Sequence, residues 1–298
     1  MPRRDFPATG PRPRWISRRV ETPDRTTVTP DSYDSIYAAK PFVSSMGSST
    51  HDHIDVQGYD LAGELMGKVD FGSMFFVLLA GRLPSDAEAA LFNAVLVALA
   101  DHGMTPSVLA ARLTYTGAPE AVQGAVAAGV LGAGSTFLGV FEDSARFLVG
   151  LNAPTDADDS ELDATARTAA ERYRRHDWRI PGFGHPVHKS GDPRTKALYR
   201  IAHEHNTVGV HFRLALHVEK YAQSRSGVPL PLNAGGACGA ILTDLGIPMT
   251  SLRGVAAVSR AAGIVGHLVE EARNPIGTAL WHLAEERVQY VGRSSRKR

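Results

Sequence analysis

Cysteine is almost absent from this chain, with Cys238 the single example among 298 residues. One thiol forms no internal disulfide, and Cys238 lies in a Gly/Ala-rich stretch with no Cys or His at ligand spacing. A disulfide scaffold and a cysteine-based metal site are thereby excluded, and a reducing compartment suits the composition. Net charge is equally scarce, since 32 Lys and Arg oppose 31 Asp and Glu to leave +1. No global field recruits nucleic acid or a membrane surface. No uninterrupted apolar run reaches the roughly 20 residues that a spanning helix needs, and the first thirty residues carry Pro and Arg in place of an apolar signal core. Seven arginines lie between Arg3 and Arg25, but Pro2, Pro7, Pro11 and Pro13 oppose the amphipathic helix of a mitochondrial presequence. The expectation is a soluble, cytoplasmic protein with small-molecule substrates and neither a nucleic-acid nor a membrane partner.

Hydrophobic residues make up 43% of the chain, enough to build a sizeable core and to divide it into a larger and a smaller lobe. Residues 1–45 lack hydrophobic periodicity and read as an extended or partly disordered arm. From Tyr59 the apolar spacing is helical, through Leu61, Leu65 and Met66, then Phe75 to Leu79 before the break at Gly81–Pro84. Ser85-Asp86-Ala87-Glu88 is a capping-box pattern that opens a helix ending near Asp101-His102-Gly103. Small residues crowd 117–139, which predicts closely packed helices around a buried hairpin or a subunit seam. An acidic connector over 154–164 precedes a helix bearing Ala166, Ala169, Ala170 and Tyr173. Further helices are predicted after Asp192-Pro193-Arg194 and over 212–221, 237–245, 252–271 and 275–290, and period-2 strands are short pieces at most. The predicted class is all-α.

The chemistry concentrates in Pro181-Gly182-Phe183-Gly184-His185-Pro186-Val187-His188-Lys189-Ser190-Gly191-Asp192-Pro193-Arg194. Glycines let backbone approach a ligand, an imidazole polarises a carbonyl or moves a proton, and Arg offers a bidentate fork to a carboxylate. The combination reads as a loop for an anionic substrate. His51-Asp52-His53 has the spacing of a metal pair, yet no further ligand follows at a suitable interval, so a turn or substrate-mouth role is preferred and no metal is expected. His203, His205, His211 and His217 read as solvated helix faces, and His267 as helix packing.

This loop resembles the Gly-x-Gly-His … Asp-Pro-Arg signature of citrate synthases and citryl-CoA lyases, including the lyase region of ATP-citrate lyase. The resemblance runs from about Gly58 and takes in Gly58-Tyr59-Asp60, Gly81-Arg82-Leu83-Pro84-Ser85, Ala100-Asp101-His102-Gly103, Leu232-Asn233, Val258-Ser259-Arg260 and Gly266-His267. It implies a citrate synthase-like all-α fold with a large helical domain, 46–137 with 245–298, and a smaller one, 138–244, that carries the His185 loop. It further implies a homodimer or homotetramer. By the same resemblance, His102 and His185 are the catalytic residues, contacting the hydroxyl of a citrate-like substrate or the carbonyl from which it forms. Arg194 and Arg260 hold substrate carboxylates, and Lys189 contacts the phosphates of coenzyme A. The implied substrates are a CoA thioester and oxaloacetate or another 2-oxo acid, and the implied reaction makes or breaks a carbon–carbon bond in citryl-CoA or a related 3-hydroxyacyl-CoA.

Two positions depart from the family pattern. Phe137 stands where citrate synthases carry a histidine that helps enolise acetyl-CoA, and Gly235 stands where an aspartate removes the methyl proton. Glycine accepts no proton. Asp244 reads as a surface or capping residue and Cys238 as an inert buried thiol, which leaves His188 as the best substitute. The alternative reading is a catalytically depleted protein that retains a CoA and carboxylate pocket.

Overall fold

Helices account for nearly all the regular structure, as the apolar spacing predicts. The structure is a computed structural model that describes residues 44–176, 178–185, 188–223 and 227–292. Most of the predicted arm and the basic C-terminal tail lie outside that range. A small antiparallel sheet comes first: β1 (Gly47–Ser49), β2 (Ile54–Val56) and β3 (Tyr59–Asp60), in that order. His51-Asp52-His53 forms the β1–β2 turn, and His53 pairs with Asp55 at 2.9 Å. Leu61–Leu65, expected as a full helix, is a single π-helical turn.

Among the described residues ten α-helices follow: α1 (Phe71–Ala80), α2 (Asp86–Ala100), α3 (Pro106–Gly117), α4 (Val122–Val149), α5 (Asp159–Arg175), α6 (Pro193–Glu204), α7 (Val210–Tyr221), α8 (Ala234–Asp244), α9 (Leu252–Arg273) and α10 (Gly277–Arg287). Local chemistry sets several of their starts. Ser85 and Glu88 form the expected capping box on α2, and Asp158 with Glu161 forms another on α5. Sequence periodicity starts α8 at Ala237. The helix begins three residues earlier because Asn233 accepts from the Gly236 N–H and caps it. The Asp244 carboxylate has the capping role expected of it, accepting from the His211 and Phe212 N–H groups at the start of α7.

The core falls in two clusters, a main one and a small one of Ala111, Ala125, Ile264 and Leu268 where α3, α4 and α9 meet. Leu91, Phe92, Val95 and Leu99 fall on one face of α2 and are buried, with Phe92 edge-on to Phe76 at 5.4 Å. Each fully buried side chain of this size contributes about 1.5–3 kcal/mol of transfer free energy. The small-residue segment forms the predicted hairpin: Gly129 lets α4 approach α3, where the Ser107 hydroxyl donates to the Gly129 carbonyl at 2.6 Å. Gly134, at φ 49° and ψ −162°, interrupts α4 and turns its second half. By length and composition alone, Val122–Val149 and Met249–Arg273 are apolar enough to cross a membrane. Their small and apolar residues instead pack α4 against α3, α8 and α9.

Candidate active site

Four segments bring the chemistry together. The first is the His185 loop, fastened to the start of α8. Gly184 N–H donates to the Pro231 carbonyl at 2.7 Å, Asn233 N–H donates to the Gly182 carbonyl at 2.9 Å, and Asn233 Nδ2 donates to the Gly184 carbonyl at 2.8 Å. Gly182 has φ +85°, and a Cβ there would lie 2.6 Å from Gly236 Cα, so only glycine fits. The second is the start of α6, where buried Asp192 receives Arg194 Nε at 3.0 Å, Arg194 Nη2 at 2.8 Å and the Ala234 N–H at 3.0 Å. Burial pushes this carboxyl upward, but the Arg194 bonds and the two backbone N–H groups outweigh it and hold it at about 2.

The third segment is the turn after α2. Asp101 accepts from the Gly103 N–H at 3.0 Å and from His267 Nε2 at 2.8 Å, and between these two anchors His102 is held. The fourth is α9, which crosses close to the end of α2 because Gly263 leaves no room for a Cβ beside the Ala100 carbonyl. That crossing places Arg260 opposite His102. Together the segments wall a cavity of about 560 Å³. His102, His185, Arg194 and Arg260 face it, with apolar cover from Ala133, Phe137 and Val140. No Asp or Glu lines it among the described residues.

The rings of His102 and His185 meet edge to face, with centroids 5.8 Å apart, and the His188 ring lies 4.5 Å from that of His185, tilted by 31°. Burial, then the positive charges of Arg194 and Arg260, lower the His102 pKa below its ordinary value. Burial and then His188 do the same for His185. The His188 backbone N–H donates to His185 Nδ1 at 3.0 Å, so a neutral His185 carries its proton on Nε2 and is a donor there. The ligand atoms of His102, His185 and His188 lie within 4.8 Å of one another, close enough to admit a metal ion. The proton inventory opposes one: with Nδ1 already accepting, a metal on His185 Nε2 would require an imidazolate, and two guanidiniums stand nearby.

Of the residues singled out from sequence, His102, His185, Arg194 and Arg260 share one cavity. Lys189 is exposed on the loop and is not part of the cavity wall. Cys238 is fully buried, and burial pushes its thiol up to about 12, as expected of an inert residue. Gly235 and Phe137 both line the cavity, and a Cβ on Gly235 would fall 2.5 Å from Val140 Cγ1, so Val140 fills the space beside the missing carboxylate. Sequence reasoning missed Arg179, a third guanidinium at the wall, whose only sequence signal is its place two residues before Pro181. It also misassigned three histidines. His211 pairs with Asp244 at 2.7 Å, buried His217 sits between Asp159 and Asp163, and His267 links Asp101 to Arg112. None is a simple solvated or packing residue, because each has a partner remote in sequence.

Residues 36–280 match the family described as citrate synthase, C-terminal domain. The citrate synthase of Haloferax volcanii is 27% identical over 223 residues, covering 73% of this chain and 54% of that protein. A probable ATP-citrate synthase of Dictyostelium discoideum is 25% identical, covering 88% of this chain and 44% of that one. The chain thus spans about half the length of these curated relatives. Among solved structures, the citryl-CoA lyase of Hydrogenobacter thermophilus superposes with a TM-score of 0.75 at 30% identity, covering 87% of this chain and 97% of that one. An ATP citrate lyase of Methanothrix soehngenii, solved with citrate and coenzyme A, shares the fold at a TM-score of 0.69 and 21% identity, covering 99% of this chain and 47% of that one. With the histidine pair, the guanidiniums and the matched length in agreement, the chain belongs to the citrate synthase family.

Proposed function

We propose that the protein is a CoA-dependent carbon–carbon lyase that cleaves citryl-CoA or a related 3-hydroxyacyl-CoA and releases oxaloacetate or another 2-oxo acid. The observation that carries this reading is the cavity wall, where two imidazoles of lowered pKa stand among guanidiniums with no lining carboxylate among the described residues. Arg260 and the Arg194 guanidinium, whose Nε and Nη2 are held by Asp192 and whose Nη1 reaches the Ala98 carbonyl, orient the substrate carboxylates. A ring nitrogen of neutral His102 accepts the hydroxyl proton while His185 Nε2–H stabilises the developing alkoxide. The carbon–carbon bond then breaks, its electron pair passes into the thioester enolate, and the alkoxide becomes the carbonyl of the oxo acid. Water protonates the enolate carbon and takes back a proton from the His102 imidazolium, which gives the shorter acyl-CoA and restores the neutral ring. Lys189, exposed on the His185 loop, contacts the phosphates of coenzyme A.

Gly235, Phe137 and Val140 offer no group that protonates the enolate carbon or, in reverse, removes a methyl proton, so this step is slow in both directions and cleavage shows in the partial step of oxo-acid release. They also motivate the second reading, a binding protein that has lost its chemistry. Oxo-acid release from citryl-CoA, coupled to an NADH-dependent dehydrogenase, separates the two. Release that disappears in His185→Ala supports the lyase, whereas CoA binding by calorimetry without release supports the binding protein.

Residues 46–137 with 245–298 act in this reading as the large domain and 138–244 as the small one. The working form is a cytoplasmic homodimer or homotetramer, a reading supported by the exposed Leu113, Val122, Leu131, Val265 and Trp281 on α3, α4, α9 and α10. Sedimentation at micromolar concentration should give a species heavier than the 31.9 kDa chain.

A further inference from the structure

His267 lies one layer behind the cavity and joins two parts of the molecule that share no backbone. On one side is a buried ion pair: Arg112 of α3 and Glu271 of α9 are each 2% exposed at the side chain and 2.8 Å apart. Glu271 is itself fixed, because its other oxygen accepts from the Ile276 and Gly277 N–H groups at 2.9 and 2.7 Å. Arg112 also bonds Glu270. On the other side is Asp101, immediately before His102.

The hydrogen bonds between these sides run in one direction. Arginine has only donors, so its Nη2, 3.0 Å from His267 Nδ1, makes that nitrogen an acceptor. The His267 proton is therefore on Nε2, which donates to Asp101 Oδ1 at 2.8 Å. Asp101 Oδ2 accepts from the Gly103 N–H at 3.0 Å, where Gly103 turns through φ +72°. The carboxylate thus grips the far side of the turn, with His102 between its two points of attachment. A displaced Asp101 would release the Gly103 bond and let the His102 ring swing, and a shift of about 1 Å in a catalytic group can cost on the order of 100-fold in rate.

We infer that His267 is a positioning residue for His102, carrying the rigidity of the buried Arg112–Glu271 pair through Asp101 to the turn that presents the imidazole to the cavity. The inference rests on the lyase reading for its kinetic consequence, but the geometry is testable without it. Histidine-ring NMR of the full-length protein reads the geometry directly. His267 should appear as the neutral Nε2–H tautomer, and His267→Gln should leave the His102 resonances nearer their parental positions than His267→Phe does, because the Gln amide still donates to Asp101. An Nδ1–H tautomer at His267, or His102 resonances unmoved in His267→Phe, overturns the inference whether or not the protein cleaves citryl-CoA.

Kinetics supply the second arm once cleavage by the parent is measured. His267→Phe should lower kcat about 100-fold with little change in KM, and His267→Gln should restore part of the loss. In the double variant with Asp101→Asn, the losses should fall well short of additive. A folded His267→Phe protein with parental kcat, or a change confined to KM, overturns the inference. Parental inactivity with the expected NMR result overturns the lyase reading alone.

Discussion

Replacing Gly235 by aspartate asks whether the missing base can be restored, and the surroundings of Gly235 set the size of the answer. A Cβ at this position lies 2.5 Å from Val140 Cγ1 and 3.2 Å from Asn233 Oδ1, the first being closer than real Cβ contacts come. Overpacking of this kind costs about 1–3 kcal/mol. A carboxylate in the first turn of α8 recovers about 0.3–1 kcal/mol from the helix dipole, which leaves a net loss of up to about 2.7 kcal/mol, centred on about 1.5 kcal/mol, and a fall in Tm of about 3–6 °C at that centre. Val140→Ala removes the methyl groups in the way. The pair should therefore be more stable than the sum of the single changes, with a coupling of about 1 kcal/mol. Thermal melts of the parent, both single variants and the double variant measure this coupling. Deuterium exchange into the methyl group of acetyl-CoA, with an oxaloacetate analogue bound, then reports whether the new carboxylate works as a base. Gly235→Asp melting with the parent, and no coupling to Val140→Ala, would refute the claim that Val140 occupies the carboxylate's place.

Arg260→Ala should weaken oxo-acid binding by about 1.5–3 kcal/mol, the value of a hydrogen bond to a charged group, with unchanged thermal stability. Arg194→Ala should weaken it as well but also unfold more easily, by about 3–5 kcal/mol, since buried Asp192 loses its partner; calorimetry and melts separate the two effects. Burial and the neighbouring positive charges depress the pKa of His102 and His185 below the ordinary 6.5. Both rings therefore stay neutral below that pH, so kcat/KM should hold at pH 6.5 and fall only as pH drops through the lowered values. An acid limb centred above 6.5 would contradict this. Glu271→Gln should destabilise the fold by about 1.5–3 kcal/mol in thermal melts, because Arg112 loses its buried partner and keeps only the exposed Glu270 carboxylate.

What the sequence makes legible follows the range of the interactions involved. Ser85 and Glu88, three residues apart, specify the start of α2 by themselves, and the Gly/Pro-bounded loop announces His185 in the same way. The absence of a carboxylate at Gly235 is equally plain in the sequence. That Val140 fills the gap is not, since helical spacing marks Val140 only as an apolar residue on α4. His267 looks like packing because its partners, Asp101 and Arg112, belong to other segments and have no local signature. Asp192 could be read as the cap of α6, but its second grip, on the Ala234 N–H, depends on α8 arriving from 42 residues away.

The way the His185 loop is fastened has a consequence for how ligands bind. Fixing the backbone of a free residue costs about 1–2 kcal/mol in conformational entropy, and Gly182 to Gly184 are already held by bonds to Pro231 and Asn233 and by the close contact with Gly236. Folding has met that cost before any ligand arrives. Three residues at this rate amount to about 3–6 kcal/mol that substrate binding need not supply. A ligand that engages His185 should accordingly show little entropy penalty from this loop, and its calorimetric signature should be dominated by its carboxylates and by water leaving the wall formed by Phe137 and Val140.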